Sequence, residues 1–542
     1  MTDAPEFPER FNLADYLLRH NLEEHPDKIA VICGDRRYSY AEVDRLARRT
    51  GQVLRGLGAG MEDRVLLILP DGIEFVASWL GTLKIGAVFA MANTIHTPED
   101  YLYYLDYTRA PVAVVHDAVL ERIEPVLPSA RYLKSLLVVG ETRRHPRFHE
   151  AIEKAADDLQ TADTSRDDIA GWLFTSGSTG SPKAAVHFHR DFAFNIETYA
   201  KQILKIAQTD VTLSVPKLFF GYATGTNLMF PFAAGATTVL FPGRSTPEAI
   251  FEQIALHRPT VLTSVPTMIN GMLTAKDSRA PGADADLSCL RVCLSAGEAL
   301  PGELYRRWLA AFGVEILDGI GSAEMFHIYI SNRFGAVRAE TLGQLVPGYD
   351  ARIVGPDGSD VPPGAQGTLW VKGGSTALCY WQHREESRHT FRGDWCVTGD
   401  QFMRDDEGYF HYCGRTDDML KVSGIFVSPL EIEDCLLAHA AVREAAVIGQ
   451  EDAGGLTKPK AIVVLKDGFE PSRETAFALR AHVKERLSPY KYPRWIAFVE
   501  MLPRSDRGKV LRRALREGVR ELLSVALAPG DADAPGGSDA IK

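Results

Sequence analysis

Short apolar runs alternate with segments of helical spacing along the first ~340 residues, and this alternation constrains the fold more than any other feature. Phe11–Asn21 reads as a helix. Lys28–Cys33 and Arg37–Tyr40 read as strands joined by a Gly34-Asp35 turn. Tyr40–Leu57 then carries a helical pattern, Arg64–Leu69 a strand and Ile73–Leu83 a helix, and the alternation resumes from ~165. Strands interleaved with helices in this way build a largely parallel sheet covered on both faces. Between ~340 and ~415 Gly and Pro become dense and short apolar runs alternate with turns, which predicts an antiparallel β-rich lobe. From Asp417 onward a compact α+β segment follows. It reads as a helix at Pro429–His439, strands at Val442–Gly449 and Lys460–Lys466, a helix at Thr475–Leu487 and a strand at Trp495–Glu500. The tail 526–542 is rich in Ala, Gly, Pro and Asp, a composition expected to stay disordered.

Charge removes several classes of function. The 542 residues hold 60 Lys and Arg against 71 Asp and Glu, a net charge of −11. A general nucleic-acid binder or anionic-membrane binder needs a broad basic field that this chain lacks. No run of 18 apolar residues predicts a membrane span, and the start MTDAPEFPERFN has neither the basic nor the apolar part of a secretory signal. The seven cysteines (Cys33, Cys289, Cys293, Cys379, Cys396, Cys413 and Cys435) form no CxxC and no zinc spacing. They read as reduced core thiols, and the cytoplasm is the expected compartment.

The strongest local signal is Thr175-Ser176-Gly177-Ser178-Thr179-Gly180-Ser181-Pro182-Lys183, set between two apolar strand-like runs. Glycines let backbone N–H groups approach an anion, hydroxyls donate hydrogen bonds, and lysine adds a mobile positive charge. It is not a Walker loop, because GxxxxGK[ST] is absent. A plain Gly/Ser turn is the bland reading; the lysine and the flanking strands favour a phosphate site.

This loop resembles the phosphate-binding signature of the adenylate-forming superfamily, which comprises acyl- and aryl-CoA ligases, peptide-synthetase adenylation domains and luciferases. Further motifs follow in the family's order over residues ~10–520. Tyr38-Ser-Tyr-Ala-Glu42 and Leu83-Lys-Ile-Gly86 resemble early motifs; Leu294-Ser-Ala-Gly-Glu-Ala-Leu-Pro301 and Asp318-Gly-Ile-Gly-Ser-Ala-Glu324 resemble nucleotide-binding strands. Trp395-Cys-Val-Thr-Gly-Asp400, Gly414-Arg-Thr-Asp-Asp-Met-Leu-Lys421 and Pro503-Arg-Ser-Asp-Arg-Gly-Lys509 complete the set.

The resemblance implies an α/β architecture. A large N-terminal domain, 1–415, would consist of layered α/β subdomains plus the β-rich lobe, and a small mobile α+β C-terminal domain would span 416–525. It implies ATP, Mg²⁺ and coenzyme A as cofactor and co-substrates. Lys509 is expected to neutralise charge during adenylation, with Glu324 holding the metal. Thr175, Ser176, Gly177, Ser178, Thr179, Gly180 and Lys183 would cradle phosphate. Gly297, Glu298, Ala299, Asp318, Gly319, Ile320 and Gly321 would flank or contact adenine. Asp400 would meet the ribose and Arg415 the ribose or phosphate, although a plain interlobe salt bridge between these two is the alternative. Asp417 would be the hinge, and Lys421, Ser423 and Gly424 would lie toward the pantetheine path. The family usually has Thr where Ala323 stands, so one hydroxyl contact to phosphate or metal is missing. The stretch 484–513 holds nine Lys and Arg against three Asp and Glu, a local basic surface able to receive the phosphates of coenzyme A.

Lys217-Leu-Phe-Phe-Gly-Tyr-Ala-Thr-Gly225 and Glu324-Met-Phe-His-Ile-Tyr-Ile330 closely resemble the benzoate-CoA ligase branch. That resemblance places Gly221, Tyr222, Ile320 and His327 on an aryl pocket, and Phe219, Phe220 and Tyr222 could wall a flat slot there, with ordinary core packing the alternative for Phe219 and Phe220. Gly221 stands where the branch carries Ala and would make room for a ring substituent, which Thr224 or His327 could hydrogen-bond. Benzoate and hydroxybenzoate are thus both expected acids. His187 and His189 read as structural, with no metal role. The leading reading is an aryl-carboxylate–CoA ligase. A stand-alone enzyme loading an aryl group onto a carrier protein, a silent acyl-AMP or aryl-acid binding protein and a luciferase-type oxygenase are the alternatives. The chain is expected to be a monomer or homodimer, and a lysine acetyltransferase acting on Lys509 is a further expected partner.

Overall fold

The computed structural model describes residues 5–175, 182–278, 282, 286–415, 419–422, 425–452, 457–487, 491–504 and 510–526. Two large sheets dominate. One has seven strands in the order Cys379–Tyr380, Lys183–Phe188, Ile169–Thr175, Val88–Met91, Arg64–Ile68, Val112–His116 and Ser135–Val139. Its last five strands run parallel, whereas Ile169–Thr175 and Lys183–Phe188 form an antiparallel pair in which Thr175 faces Lys183. The second sheet has nine strands, with Ile316–Gly321, Val292–Ser295, Val261–Ser264, Val211–Ser214 and Thr237–Leu240 parallel at its centre. The early strands Ile29–Cys33 and Arg36–Ser39 join this second sheet and not the one nearest in sequence, because Ile29–Cys33 pairs in parallel with Thr237–Leu240.

Two of the early motifs have structural work. Ser39 and Glu42 form a reciprocal capping box that starts the helix Tyr40–Gly56. Lys84, 3% exposed, places its ammonium 2.9 Å from Asp44 and 3.5 Å from Asp15, tying three helices together: Leu13–Glu24, Tyr40–Gly56 and Ile73–Lys84. An ammonium so deeply buried is tolerable only because carboxylates surround it.

The β-rich lobe is an antiparallel sheet of Asp350–Val354, Gln366–Lys372, Trp395–Arg404, Phe391–Arg392 and Phe410–Arg415. The smaller C-terminal lobe packs helices Pro429–Leu437 and Arg473–Arg486 with a four-stranded sheet of Val442–Glu451, Thr457–Leu465, Trp495–Phe498 and Leu523–Ala526. The molecule is thus a mixed α/β protein with a large N-terminal part and a smaller C-terminal one. The last strand corrects the expected onset of the tail: Leu523–Ala526 pairs with Trp495–Phe498. Residues 527–542 lie outside the described residues. No helix among the described residues is long and apolar enough to cross a membrane.

Candidate active site

One cleft of about 2530 Å³ runs between the carboxyl ends of the two large sheets, the β-rich lobe and the C-terminal lobe. Of the sequence-predicted residues it gathers Thr175, Lys183, Phe220, Gly221, Tyr222, Gly297, Glu298, Ala299, Gly319, Ile320, Gly321, Glu324, His327, Asp400 and Arg415. Ser176, Gly177, Ser178, Thr179, Gly180, Asp417, Ser423, Gly424 and Lys509 lie outside the described residues, as does the side chain of Lys421.

The chain from Gly319 to His327 forms one wall. It leaves the strand Ile316–Gly321, makes a single 3-10 turn at Ala323–Met325 and returns as Ile328–Ser331. Phe326 carries φ +64, a left-handed conformation unfavourable for a bulky residue. Surrounding hydrogen bonds hold the turn in place. Ala377 N–H donates to Glu324 O at 2.8 Å, and Ser375 Oγ donates to Met325 O at 2.8 Å. Tyr380 Oη donates to Glu324 Oε1 at 2.5 Å, and the Lys183 ammonium stands 4.9 Å from the Tyr380 ring centre. Lys183 itself is 8% exposed. Cys396 also lines this part of the cleft and is 1% exposed. Burial, reinforced by the Glu324 and Asp400 carboxylates, pushes its thiol far above the ordinary range.

Asp318 sits behind the wall, 5% exposed, and its Oδ1 has no hydrogen-bond partner. Burial pushes its carboxyl up to about 8. Glu298 accepts from Thr267 Oγ1 at 3.0 Å, and Thr267 in turn accepts from Arg504 Nη1 of the C-terminal lobe at 3.0 Å. Arg504 also pairs with Glu444 at 2.6 Å. Asp400 and Arg415 face each other on adjacent strands, 3.3 Å apart. The expected rival, a salt bridge, is therefore present, but it lies within the β-rich sheet and does not cross between lobes. For Mg²⁺, the donor offered is the Glu324 carboxylate, whose Oε1 is held by Tyr380 Oη. One carboxylate plus substrate phosphates is the usual way this hard cation is held, so the residues fit it.

The part of the cleft expected from the sequence to take the aryl ring is lined by Phe219–Tyr222 and His327. Phe219 and Phe220 meet edge to face at 4.6 Å. A methyl added at Gly221 would rest 3.4 Å from Leu173, in ordinary contact, so the glycine opens one methyl's width beside Leu173. Tyr222 shows part of its ring to the cleft, while its hydroxyl is buried without a partner. His327 is 2% exposed and packs against Phe230 at 4.8 Å and Tyr222 at 5.3 Å. Burial lowers its imidazole to about 4, so the ring is neutral. Its Nε2 lies 3.0 Å from Tyr222 O, which fixes the proton on Nε2 and leaves Nδ1 as an acceptor without a partner. Gly225 lets this ring sit where it does, because a Cβ there would stand 2.4 Å from His327 Cδ2.

Thr224 is a correction. It is fully buried and its hydroxyl donates to Leu218 O at 2.6 Å, so it caps the backbone and does not reach a ring substituent. His189 is structural: its Nδ1 accepts from Leu13 N–H at 3.1 Å. His187 bonds the turn itself, with Nε2 2.7 Å from Ala323 O.

Sequence reasoning missed Tyr380, Thr267 and Asp71. Asp71, 2% exposed, accepts Leu218 N–H at 2.7 Å and so pins the Phe219–Tyr222 segment from the other sheet. Burial pushes its carboxyl up to about 6, with the Lys217 ammonium pulling the other way. These three residues act on partners distant in sequence, and no local spacing marks them.

Residues 18–381 match the AMP-binding enzyme family, and residues 431–509 match the AMP-binding enzyme C-terminal domain. The chain is 45% identical to a benzoate–CoA ligase of Thauera aromatica, over 95% of this chain and 97% of that one. It is 39% identical to a 4-hydroxybenzoate–CoA/benzoate–CoA ligase of Rhodopseudomonas palustris, over 93% of each chain. Among solved structures, an anthranilate CoA ligase in complex with anthranoyl-AMP superposes with a TM-score of 0.90 and 39% identity, covering 94% of this chain and 98% of that one.

Proposed function

The chain belongs to the AMP-binding enzyme family, and from that premise we propose that it is an ATP-dependent aryl-carboxylate–CoA ligase of the benzoate or hydroxybenzoate type. A carboxylate oxygen of the aryl acid attacks the α-phosphorus of ATP and expels pyrophosphate, giving an aryl-adenylate. The thiol of coenzyme A then attacks the acyl carbon and expels AMP. The reading is supported by the single wall from Gly319 to His327. It carries the Glu324 carboxylate on one part of the cleft and the neutral His327 ring, packed on Tyr222 and Phe230, on another. Nucleotide and aryl acid thereby meet in one cleft.

The first step joins two anions, so the site must offset charge without supplying a nucleophile. Lys509 is the ammonium assigned to that task, with Lys183 and the hydroxyls from Thr175 to Thr179 on the phosphates. Mg²⁺ held at Glu324 supplies further positive charge to the phosphates. Tyr380 fixes Glu324 Oε1. Asp318 takes the adenine, and Asp400 with Arg415 takes the ribose. Asp417 is the hinge about which the smaller lobe turns between half-reactions, and Lys421, Ser423 and Gly424 border the pantetheine arm. Gly221, Tyr222, Ile320 and His327 hold the ring. The unpartnered Nδ1 of His327 favours a ring hydroxyl beside plain benzoate.

The test is AMP release with ATP and coenzyme A across benzoate, hydroxy-, amino- and halobenzoates, phenylacetate and cyclohexanecarboxylate. Benzoates should lead, and His327→Phe should erase any advantage of the hydroxylated acids, worth about 1 kcal/mol for one hydrogen bond. An aliphatic preference would overturn the aryl pocket. No nucleotide turnover with any acid would overturn the ligase.

A further inference from the structure

We propose that His187 and Asp191 are positioning residues that set the distance between the strand carrying Lys183 and the metal-holding carboxylate of Glu324. The proposal rests on the ligase reading above.

His187 lies on Lys183–Phe188, the strand that leaves the phosphate loop, and is 0% exposed. Its Nε2 is 2.7 Å from Ala323 O, and its Nδ1 is 3.1 Å from Asp191 Oδ2. A carbonyl only accepts, so the proton facing Ala323 stays on Nε2. That holds whether the buried pair is imidazolium with carboxylate or neutral imidazole with carboxylic acid. Asp191 is itself fixed, because the same Oδ2 accepts Phe188 N–H at 3.0 Å where the helix His189–Asn195 begins.

Glu324 stands next to the carbonyl that His187 grips. The other ties to the turn come from Ser375, Ala377 and Tyr380, the last on the short strand Cys379–Tyr380 that pairs with Lys183–Phe188. Among the described residues, His187 is the tie that runs from the turn to the strand leaving the phosphate loop. Phe192, one turn along the same helix, extends the brace by packing on Phe326 at 4.6 Å. Phe326 is the residue held at φ +64. The Ala323 carbonyl is the point at which His187 holds the turn. A buried carboxylate–imidazole pair orienting the support of a metal ligand typically changes metal affinity roughly 10–100-fold when removed.

The experiment compares wild type with His187→Leu, His187→Gln and Asp191→Asn in three readouts. The first is Mn²⁺ binding in the presence of α,β-methylene ATP, followed by electron paramagnetic resonance. The second is the Mg²⁺ concentration that half-saturates adenylation. The third is thioester formation from supplied benzoyl-AMP and coenzyme A, which needs no metal at Glu324. His187→Leu should raise both metal constants roughly 10–100-fold and leave the third readout unchanged. His187→Gln, whose amide can still donate to Ala323 O, should restore most of the loss, and Asp191→Asn should shift the constants in the same direction by less. Unchanged metal constants in His187→Leu, or a parallel fall of both half-reactions, would overturn the proposal. If His187→Leu does not fold, His187→Gln and Asp191→Asn decide: wild-type constants in Asp191→Asn, with no rescue by glutamine, also overturn it. Wild-type protein that never adenylates any acid would overturn the ligase reading instead.

Discussion

Asp318 holds a carboxyl where burial favours the proton, with its pKa pushed from 3.8 to about 8. The folded chain therefore binds a proton that the unfolded chain has released over that whole window. Stability from this group falls as pH rises from about 4 to about 8 and falls no further above it. Asp318→Asn removes the ionisation, so its gain in thermal stability over wild type should be larger at pH 8 than at pH 5, by several kcal/mol when expressed as free energy. An equal gain at both values would mean that the carboxyl is ionised in the fold. Asp318, Glu324 and Asp400 could be singled out in the sequence because each sits in a motif that resembles the family's. Their partners were not legible. Tyr380 meets Glu324 across 56 positions, and nothing local in the sequence distinguishes it from a core tyrosine. Thr224 looked available because a hydroxyl beside an aromatic segment is ambiguous until the helix shows which carbonyl it caps.

At the scale of elements, strand and helix positions followed from apolar periodicity, and most ends moved by one to three residues once caps took effect. The helix read as starting at Phe11 begins at Leu13, because Asn12 turns back to cap it by accepting Ala14 N–H. What periodicity cannot supply is pairing over long range, such as the union of Ile29–Cys33 with Thr237–Leu240. Asp71 is a junction of this kind. It sits between the strand Arg64–Ile68 and the helix Ile73–Lys84 of one sheet and holds Leu218 of the segment that follows Val211–Ser214 in the other. Asp71→Ala should loosen the aromatic segment and raise KM for the aryl acid about tenfold or more while leaving KM for ATP near its wild-type value. Asp71→Asn keeps an acceptor and should recover most of the loss. Initial-rate kinetics with each substrate varied in turn distinguish this from general damage, which would raise both constants.

Over the whole molecule, the path Glu298–Thr267–Arg504–Glu444 links the nucleotide side of the large part to the smaller lobe. Arg504 precedes Lys509 by five positions in the chain. Thr267→Val keeps the shape and deletes the hydroxyl, and it should slow adenylation on the order of tenfold while thioester formation from supplied benzoyl-AMP persists. Rapid-quench measurement of the two steps checks this, and equal slowing of both would show that the contact serves neither step selectively. The shared cleft has one more consequence. A mixed anhydride of acid and phosphate acylates any thiolate it meets, and Cys396 stands in the lining. Burial and the two neighbouring carboxylates favour the protonated, unreactive form of that sulfur, which guards the enzyme against acylation by its own adenylate intermediate and leaves the activated acyl group for a sulfur brought in from outside.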